Sequence, residues 1–108
     1  PTAVNHEYRP PISSGTMKSF LVADKKIMIA NVGGNFYAVD NTCTHAGGDL
    51  SKGKLDGTVV TCPRHGSRFD VTTGKNLSGP RIPFFKRKVA DLNSYAVKIE
   101  GDTIAVEI

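Results

Sequence analysis

The sequence of 108 residues predicts a single all-β domain whose antiparallel β base is of the sandwich or barrel type. Two observations lead to this fold class. Apolar and β-branched residues occur in short runs instead of at helical spacing, and turns rich in glycine separate the runs. No segment has the periodicity of a long helix. At this length roughly two-thirds of the unfolded chain's surface is buried on folding, so a core can form without disulfides.

The first part of the chain is expected to contain three strands. Gly33 and Gly34 lie between the second and the third, and this pair tolerates the positive φ angles of a two-residue hairpin turn. Residues 1–11, by contrast, are expected to form a loosely held extended arm. The three strands are predicted at residues 16–22, 26–32 and 35–40.

The second part of the chain is expected to contain shorter strands separated by loops. Strands are predicted at residues 58–61 and 67–71, and a hairpin at 95–100 and 103–108 around Gly101 and Asp102. Three segments resemble loops instead, and the third has two prolines and a glycine, which indicate a stiff turn. These loops are residues 41–57, 62–66 and 77–83.

Charge and hydropathy exclude several classes of function. Fourteen Lys and Arg side chains against ten Asp and Glu give a formal net charge of +4, and no aromatic ladder accompanies the basic residues, so nucleic-acid binding is not expected. The basic residues indicate either a solvated face or docking onto an acidic protein partner. They gather at Lys86, Arg87 and Lys88, with Arg64 and Arg81 elsewhere.

The sequence has no stretch of about 20 apolar residues that would span a membrane. Residues 1–15 lack the layout of a secretory signal, and a first residue of Pro is consistent with removal of an initiator Met. We therefore expect a whole, cytoplasmic protein that contacts no membrane. We also expect a monomer.

The chemistry of the chain is concentrated in two short motifs. Cys43-x-His45 is followed by sixteen intervening residues and then by Cys62-x-x-His65. Thiolates and imidazoles favour zinc, copper or iron–sulfur chemistry over magnesium or calcium. In a secreted domain the two cysteines could instead form one disulfide, whereas in a cytosolic protein metal or redox chemistry is expected. Each loop offers one sulfur and one ring nitrogen.

These motifs resemble those of the Rieske ferredoxins. The resemblance extends over about residues 36–83, with a weaker similarity in the terminal hairpin at 95–108. It is specific because the order, the spacing and the downstream residues all agree. The matching residues are Cys43-Thr44-His45, Cys62-Pro63-Arg64-His65-Gly66, Phe69-Asp70, Thr73-Gly74 and, at the start of a third, proline-containing loop, Gly79-Pro80.

The resemblance implies a Rieske fold of three small antiparallel sheets with one 2Fe–2S cluster per chain. The cluster-binding subdomain is then expected at about residues 41–83, and the β base at about 12–40 and 84–108. Cys43 and Cys62 would bind the inner iron, and His45 and His65 would bind the outer iron. Two ferric ions, two sulfides and two thiolates sum to zero, so reduction charges the site less than it charges a four-cysteine cluster. This is one reason that Rieske potentials lie at about −150 to +300 mV.

Because the chain departs from the high-potential Rieske proteins that it resembles, we expect its reduction potential in the lower or middle part of that range. Those proteins resemble the chain but have a disulfide at positions that correspond here to Gly48 and Arg64. They also donate hydrogen bonds to the cluster from a serine and a tyrosine. Ser67 matches the serine, and we expect it to donate to a cluster sulfide, whereas Phe69 has no hydroxyl.

The resemblance implies an electron carrier that takes one electron from a reductase and passes it to a Rieske-type oxygenase or another redox enzyme. No substrate, flavin or mononuclear iron site is evident, so we do not expect an enzyme. One alternative is a small subunit of a multicomponent oxygenase. Another is a structural Cys₂His₂ zinc site, although the mixed ligand order argues against it.

Two further expectations concern the rest of the chain. Residues 84–93 are extra relative to a short oxygenase ferredoxin. Asp49, Asp56 and Asp70 are expected to serve turns and caps.

Overall fold

A computed structural model of the chain describes residues 3–7, 12–22, 24–44, 47–80, 89–100 and 103–107. These residues form eleven β-strands and one single-turn 3₁₀ helix, and the strands assemble into three antiparallel sheets. Within those ranges no helix has the length and apolar character needed to cross a membrane. The expected all-β class is therefore confirmed.

The first sheet confirms the three strands predicted near the N-terminus. Its order is β2 (Met17–Val22), β3 (Lys25–Val32), β4 (Asn35–Asp40) and β9 (Ser94–Tyr95). Val32 pairs directly with Asn35, so Gly33 and Gly34 alone make the turn, with φ angles of 60° and 93°. Both angles are positive, as in a type I′ turn, whose twist matches the right-handed twist of the flanking strands.

The second sheet corrects the prediction for the N-terminal residues. Instead of a loose arm, β1 (Ala3–Glu7) pairs with β11 (Thr103–Glu107), which also pairs with β10 (Val97–Glu100). The run predicted at 95–100 is divided, because Tyr95 belongs to the first sheet and Val97 to the second. The turn predicted at Gly101 and Asp102 lies outside the described residues.

The third sheet contains two strands that the sequence did not predict. Its order is β5 (Lys54–Asp56), β6 (Val59–Thr61), β7 (Arg68–Asp70) and β8 (Asn76–Ser78). Strands β6 and β7 confirm the predictions at 58–61 and 67–71. Strand β5 lies inside the predicted loop at 41–57, after the 3₁₀ helix Leu50–Lys52, and β8 overlaps the predicted loop at 77–83. Residues 81–88 lie outside the described part of the chain.

Strand β3 separates two hydrophobic cores, and both of its faces are buried from Ile27 to Asn31. Ile27 and Ile29 pack toward the second sheet, in a core with Ile104 and Val106. The opposite face of β3 packs in a second core that includes both cysteines. This core contains Met28, Ala30, Val39, Cys43, Leu50, Val60, Cys62, Phe69, Val71, Val89 and Leu92.

Candidate metal centre

The first cysteine lies in a tight loop that follows β4. An antiparallel bridge between Thr42 and Asp49 closes the base of this loop. The Cys43 N–H donates to the Gly48 carbonyl at 2.9 Å, and the Cys43 carbonyl accepts from the Gly47 N–H at 2.9 Å. Gly47 has a φ of 69°, a left-handed conformation that glycine adopts without strain.

The second cysteine lies in a loop of the same construction between β6 and β7. The Cys62 N–H donates to the Ser67 carbonyl at 2.8 Å, and the Cys62 carbonyl accepts from the Gly66 N–H at 3.2 Å. Gly66 has a φ of 82°. In both loops, therefore, the cysteine bonds to the fourth and fifth residues after it, and a left-handed glycine occupies the fourth. Two loops with one backbone pattern present their sulfurs to the same core.

Both cysteines are buried free thiols, so they do not form the disulfide that was considered as an alternative to a metal site. Burial raises the pKa of the Cys62 thiol, and the adjacent Cys43 side chain raises it further. Backbone N–H groups of Arg64 and His65 act in the opposite direction, since they donate to the Cys62 sulfur and stabilise its charged form. Two sulfurs in contact, with amide donors directed at one of them, suit a cationic centre that holds thiolates.

The absence of a side chain at Gly48 leaves room for the Cys62 sulfur. A Cβ at Gly48 would lie 2.8 Å from Cys62 Sγ and 3.6 Å from the Arg64 Cβ. The second distance is within the range of about 3.5–4.5 Å for the Cβ atoms of a disulfide. The Cβ separation agrees with the correspondence of Gly48 and Arg64 to the disulfide positions of the high-potential proteins. The short distance to Cys62 Sγ means that a Cβ at position 48 requires the sulfur or the loop to lie differently from its position in this chain.

Ser67 carries a buried polar atom that needs an acceptor. The residue is 0% exposed, and within the described residues its hydroxyl oxygen has no hydrogen-bond partner. Such an unpaired buried hydroxyl costs about 1–3 kcal/mol. Ser67 directly precedes β7 and closes the Cys62 loop through its carbonyl. A 2Fe–2S cluster between the loops would offer a sulfide as acceptor, so these residues fit that group.

The structure describes only one of the two predicted histidine ligands. His65 is exposed, which suits an imidazole whose outer edge faces solvent. His45 lies outside the described residues. In the described ranges no three His, Cys, Asp or Glu side chains are grouped as metal ligands. The structure therefore brings Cys43 and Cys62 together with Ser67 beside them, and the four-residue ligand set stays a prediction.

The sequence analysis named Gly66 only as a motif residue and did not single out Gly47 or Asn41, although these residues shape the two loops. Gly47 and Gly66 both follow a cysteine by four positions, and this shared spacing is a signal that could have revealed them. Asn41, which is 1% exposed, supports the first loop. The expectation that Asp49 and Asp70 serve caps and turns is confirmed. Asp49 caps the 3₁₀ helix, and Asp70 accepts from the N–H and hydroxyl of Thr72.

Comparisons with known proteins agree with this site. Residues 4–106 match the profile of the Rieske [2Fe-2S] domain. The chain is 35% identical over 97 residues to the ferredoxin component of the naphthalene 1,2-dioxygenase system of Pseudomonas aeruginosa. This alignment covers 90% of this chain and 86% of that protein. It is 36% identical over 97 residues to the ferredoxin component of biphenyl 2,3-dioxygenase of Rhodococcus jostii, with 90% and 84% covered.

Among solved structures, the fold matches a chain in the complex of reduced oxygenase and oxidized ferredoxin in carbazole 1,9a-dioxygenase. The TM-score is 0.77 at 33% sequence identity, and the match covers 89% of this chain and 92% of that chain. The sequence matches and the structural match therefore extend over nearly the whole length, and include both cysteine loops.

Proposed function

Since the chain belongs to the Rieske [2Fe-2S] domain family, we propose that it carries electrons one at a time from a reductase to a Rieske-type oxygenase. The relatives named above are ferredoxin components of dioxygenase systems, and one matching structure is a complex of an oxygenase with a ferredoxin. We place the protein in the cytoplasm, where the two thiols stay reduced until they bind metal.

The observation that carries this proposal is the paired construction of the two loops. Each loop fixes its cysteine with the same two backbone hydrogen bonds, and the two thiols meet in a buried core. We assign Cys43 and Cys62 to one iron and His45 and His65 to the other. When bound, the 2Fe–2S cluster supplies reversible one-electron chemistry.

The surrounding residues give the two ends of the site different environments. Cys43, Cys62 and Phe69 are buried, so they exclude water from the sulfur side. His65 is exposed, so it offers a short route for an electron to a partner's surface. We propose that residues 41–83 form the cluster-binding subdomain, with a β base at 12–40 and 84–108. Val89 and Leu92 join this base to the core around the cysteines.

The proposal is tested by spectroscopy of protein that is purified without oxygen. Iron and acid-labile sulfide should each be near two per chain, and the dithionite-reduced protein should give the EPR signal of an imidazole-ligated 2Fe–2S centre. Replacement of His45 or His65 by Cys should change that signal toward an all-thiolate type, whereas His6→Cys should leave it unchanged. A colourless protein that contains zinc and lacks sulfide would contradict the proposal.

A further inference from the structure

The third sheet has a face of mixed charge on the side opposite the core. Lys54 on β5 pairs with Thr61 on β6, and Thr61 pairs with Arg68 on β7. Directly opposed residues in antiparallel strands project their side chains from the same face. Lys54 and Arg68 are exposed, so they form a row across this face, with their Cα atoms about 10 Å apart.

This row lies beside the second cysteine loop. The hydrogen bond between Cys62 and Ser67 closes the loop. Thr61 directly precedes Cys62, and Arg68 directly follows Ser67. Gly53 packs so closely against the Thr61 carbonyl that a Cβ there would overlap the oxygen and come into tight contact with Pro63. Its neighbours Lys52 and Lys54, both exposed, are therefore held next to the loop.

The loop contributes one more basic side chain, because Arg64 is exposed and directly precedes His65. We call Lys52, Lys54, Arg64 and Arg68 the basic rim. Residues 51–68 contain these four basic residues and one acidic residue, Asp56.

The charge on this face changes sign away from the loop. Asp56 and Asp70 lie two residues further along their strands than Lys54 and Arg68, on the same face and about 7 Å from the row. The positive charge is therefore concentrated at the end of the sheet that adjoins His65, rather than spread evenly over the face.

We propose that the basic rim is the docking surface of this carrier, and that it receives an acidic surface of the electron-transfer partner, rich in Asp and Glu. This inference rests on the proposed function and names the chemistry of the partner. A positive field beside the exposed imidazole attracts a negatively charged surface and orients it over the route of the electron.

The experiment measures this field with two small oxidants of opposite charge. Protein that has been reduced anaerobically is mixed in a stopped-flow instrument with hexacyanoferrate(III), or with tris(1,10-phenanthroline)cobalt(III). Each oxidant takes one electron, becoming hexacyanoferrate(II) or the cobalt(II) complex, and the protein returns to its oxidised form. Rates are compared between about 10 and 150 mM ionic strength, over which the screening length falls from about 30 Å to about 8 Å.

For the wild-type protein, the rate with the anionic oxidant should fall as salt is added, and the rate with the cationic oxidant should rise. At low salt, Arg68→Glu should slow the anionic oxidant by about fivefold and accelerate the cationic one. Lys54→Glu should act in the same direction and provides a second test if Arg68→Glu loses its cluster.

Lys98→Glu is the matched control, because it makes the same change in net charge at an exposed position in the second sheet. It should change both rates much less than Arg68→Glu. Equal effects of the two variants, or wild-type rates that do not depend on salt, would overturn the docking proposal while electron transfer itself persisted. Absence of the Rieske EPR signal in the wild type would instead contradict the proposed function.

Discussion

The buried hydroxyl of Ser67 is a single group whose environment indicates a bound cluster. A serine at 0% exposure normally donates to a nearby carbonyl, but in the described residues this hydroxyl has no partner. An acceptor supplied by a bound cluster would remove the cost of the unpaired group. The interaction would strengthen as the acceptor gains negative charge, so it would favour the reduced state.

Ser67→Ala should therefore lower the midpoint potential. A hydrogen bond worth ~1 kcal/mol more in the reduced state corresponds to a decrease on the order of 50 mV for one electron. Protein-film voltammetry measures the midpoint directly. Ser78→Ala, at an exposed position at the end of β8, is the control and should leave the potential in place. An unchanged midpoint in Ser67→Ala would remove Ser67 from this role.

Gly48→Ala should reduce the amount of cluster that the protein holds. The new Cβ would lie 2.8 Å from Cys62 Sγ, closer than such atoms approach without a shift of the sulfur or the loop. We expect less than half of the wild-type iron content after purification, measured by iron and sulfide analysis. Gly47→Asn is the control, since nothing lies within 4 Å of a Cβ there and Asn tolerates a positive φ. Full cluster content in Gly48→Ala would contradict the steric argument.

The chemistry of single residues was more predictable than the backbone around them. Cys43 and Cys62 stand in motifs whose spacing predicts metal ligands, and the structure places both in one core. Ser67, which the resemblance indicated, is buried. The closeness of Gly48 to the Cys62 sulfur could not be predicted from spacing alone, because it depends on how two loops from separate parts of the chain meet.

At the scale of elements, a polar network holds the first cysteine loop to the base sheet. Asn41 Nδ2 donates to Asp49 Oδ1 at 2.8 Å, and Asn41 Oδ1 accepts from the Ser51 N–H at 3.0 Å. Burial alone would raise the pKa of Asp49, but hydrogen bonds from Ser51 and Asn41 and the nearby Lys26 ammonium lower it overall. The Asn41 N–H also donates to the Lys26 carbonyl, so the loop is tied to β3.

Asn41→Ala should loosen this loop as a unit. It removes two hydrogen bonds from a residue that is 1% exposed, and we expect a loss of about 1–3 kcal/mol in the free energy of unfolding. The iron-loaded protein should lose its visible absorbance at a lower urea concentration than the wild type. Asn35→Ala, at an exposed position at the start of β4, should unfold at nearly the wild-type concentration. Equal midpoints for the two variants would show that the network does not support the loop.

Strand predictions succeeded where apolar or β-branched residues mark the strand, both in the longer β3 and β4 and in the three-residue β6 and β7. Strands β3 and β4 consist of apolar runs joined by two glycines, and the structure reproduces them within a residue. Strands β5 and β8 have three residues each and largely polar sequences, Lys54–Asp56 and Asn76–Ser78. Such short edge strands exist because a neighbouring strand offers hydrogen bonds, and a local pattern does not contain that information.

At the scale of the whole molecule, the described segment 89–95 joins the first cysteine loop and the third sheet to the base. The Ala90 carbonyl accepts from the Thr44 hydroxyl at 2.6 Å, and the Leu92 N–H donates to the Gly74 carbonyl at 2.7 Å. Tyr95 then enters the first sheet, where its hydroxyl donates to Asp40 Oδ1 at 2.6 Å. One segment therefore connects the first loop, the third sheet and the first sheet.

Because Tyr95 ionises at high pH, the stability that its contact with Asp40 contributes depends on pH. Burial, together with the hydrogen bond and the negative charge of Asp40, raises the pKa of Tyr95 to about 12. The folded state thus holds the phenol proton more tightly than the unfolded state, whose tyrosine titrates near pH 10. The resulting stability is fully present below about pH 10, and it is lost as the pH rises toward 12.

Tyr95→Phe should lower the free energy of unfolding at pH 8 by about 1–2 kcal/mol, because the hydrogen bond to a charged acceptor is removed. Between pH 8 and pH 11 the wild type should lose roughly 1 kcal/mol more than the variant, after allowance for the partial exposure of the phenol. Thermal unfolding of the iron-loaded proteins, followed by circular dichroism, compares the two. Tyr37→Phe, which leaves the contact between Tyr95 and Asp40 intact, should retain the steeper wild-type dependence on pH. If the gap between the wild type and Tyr95→Phe were the same at both pH values, ionisation of Tyr95 would not be coupled to the stability of the fold.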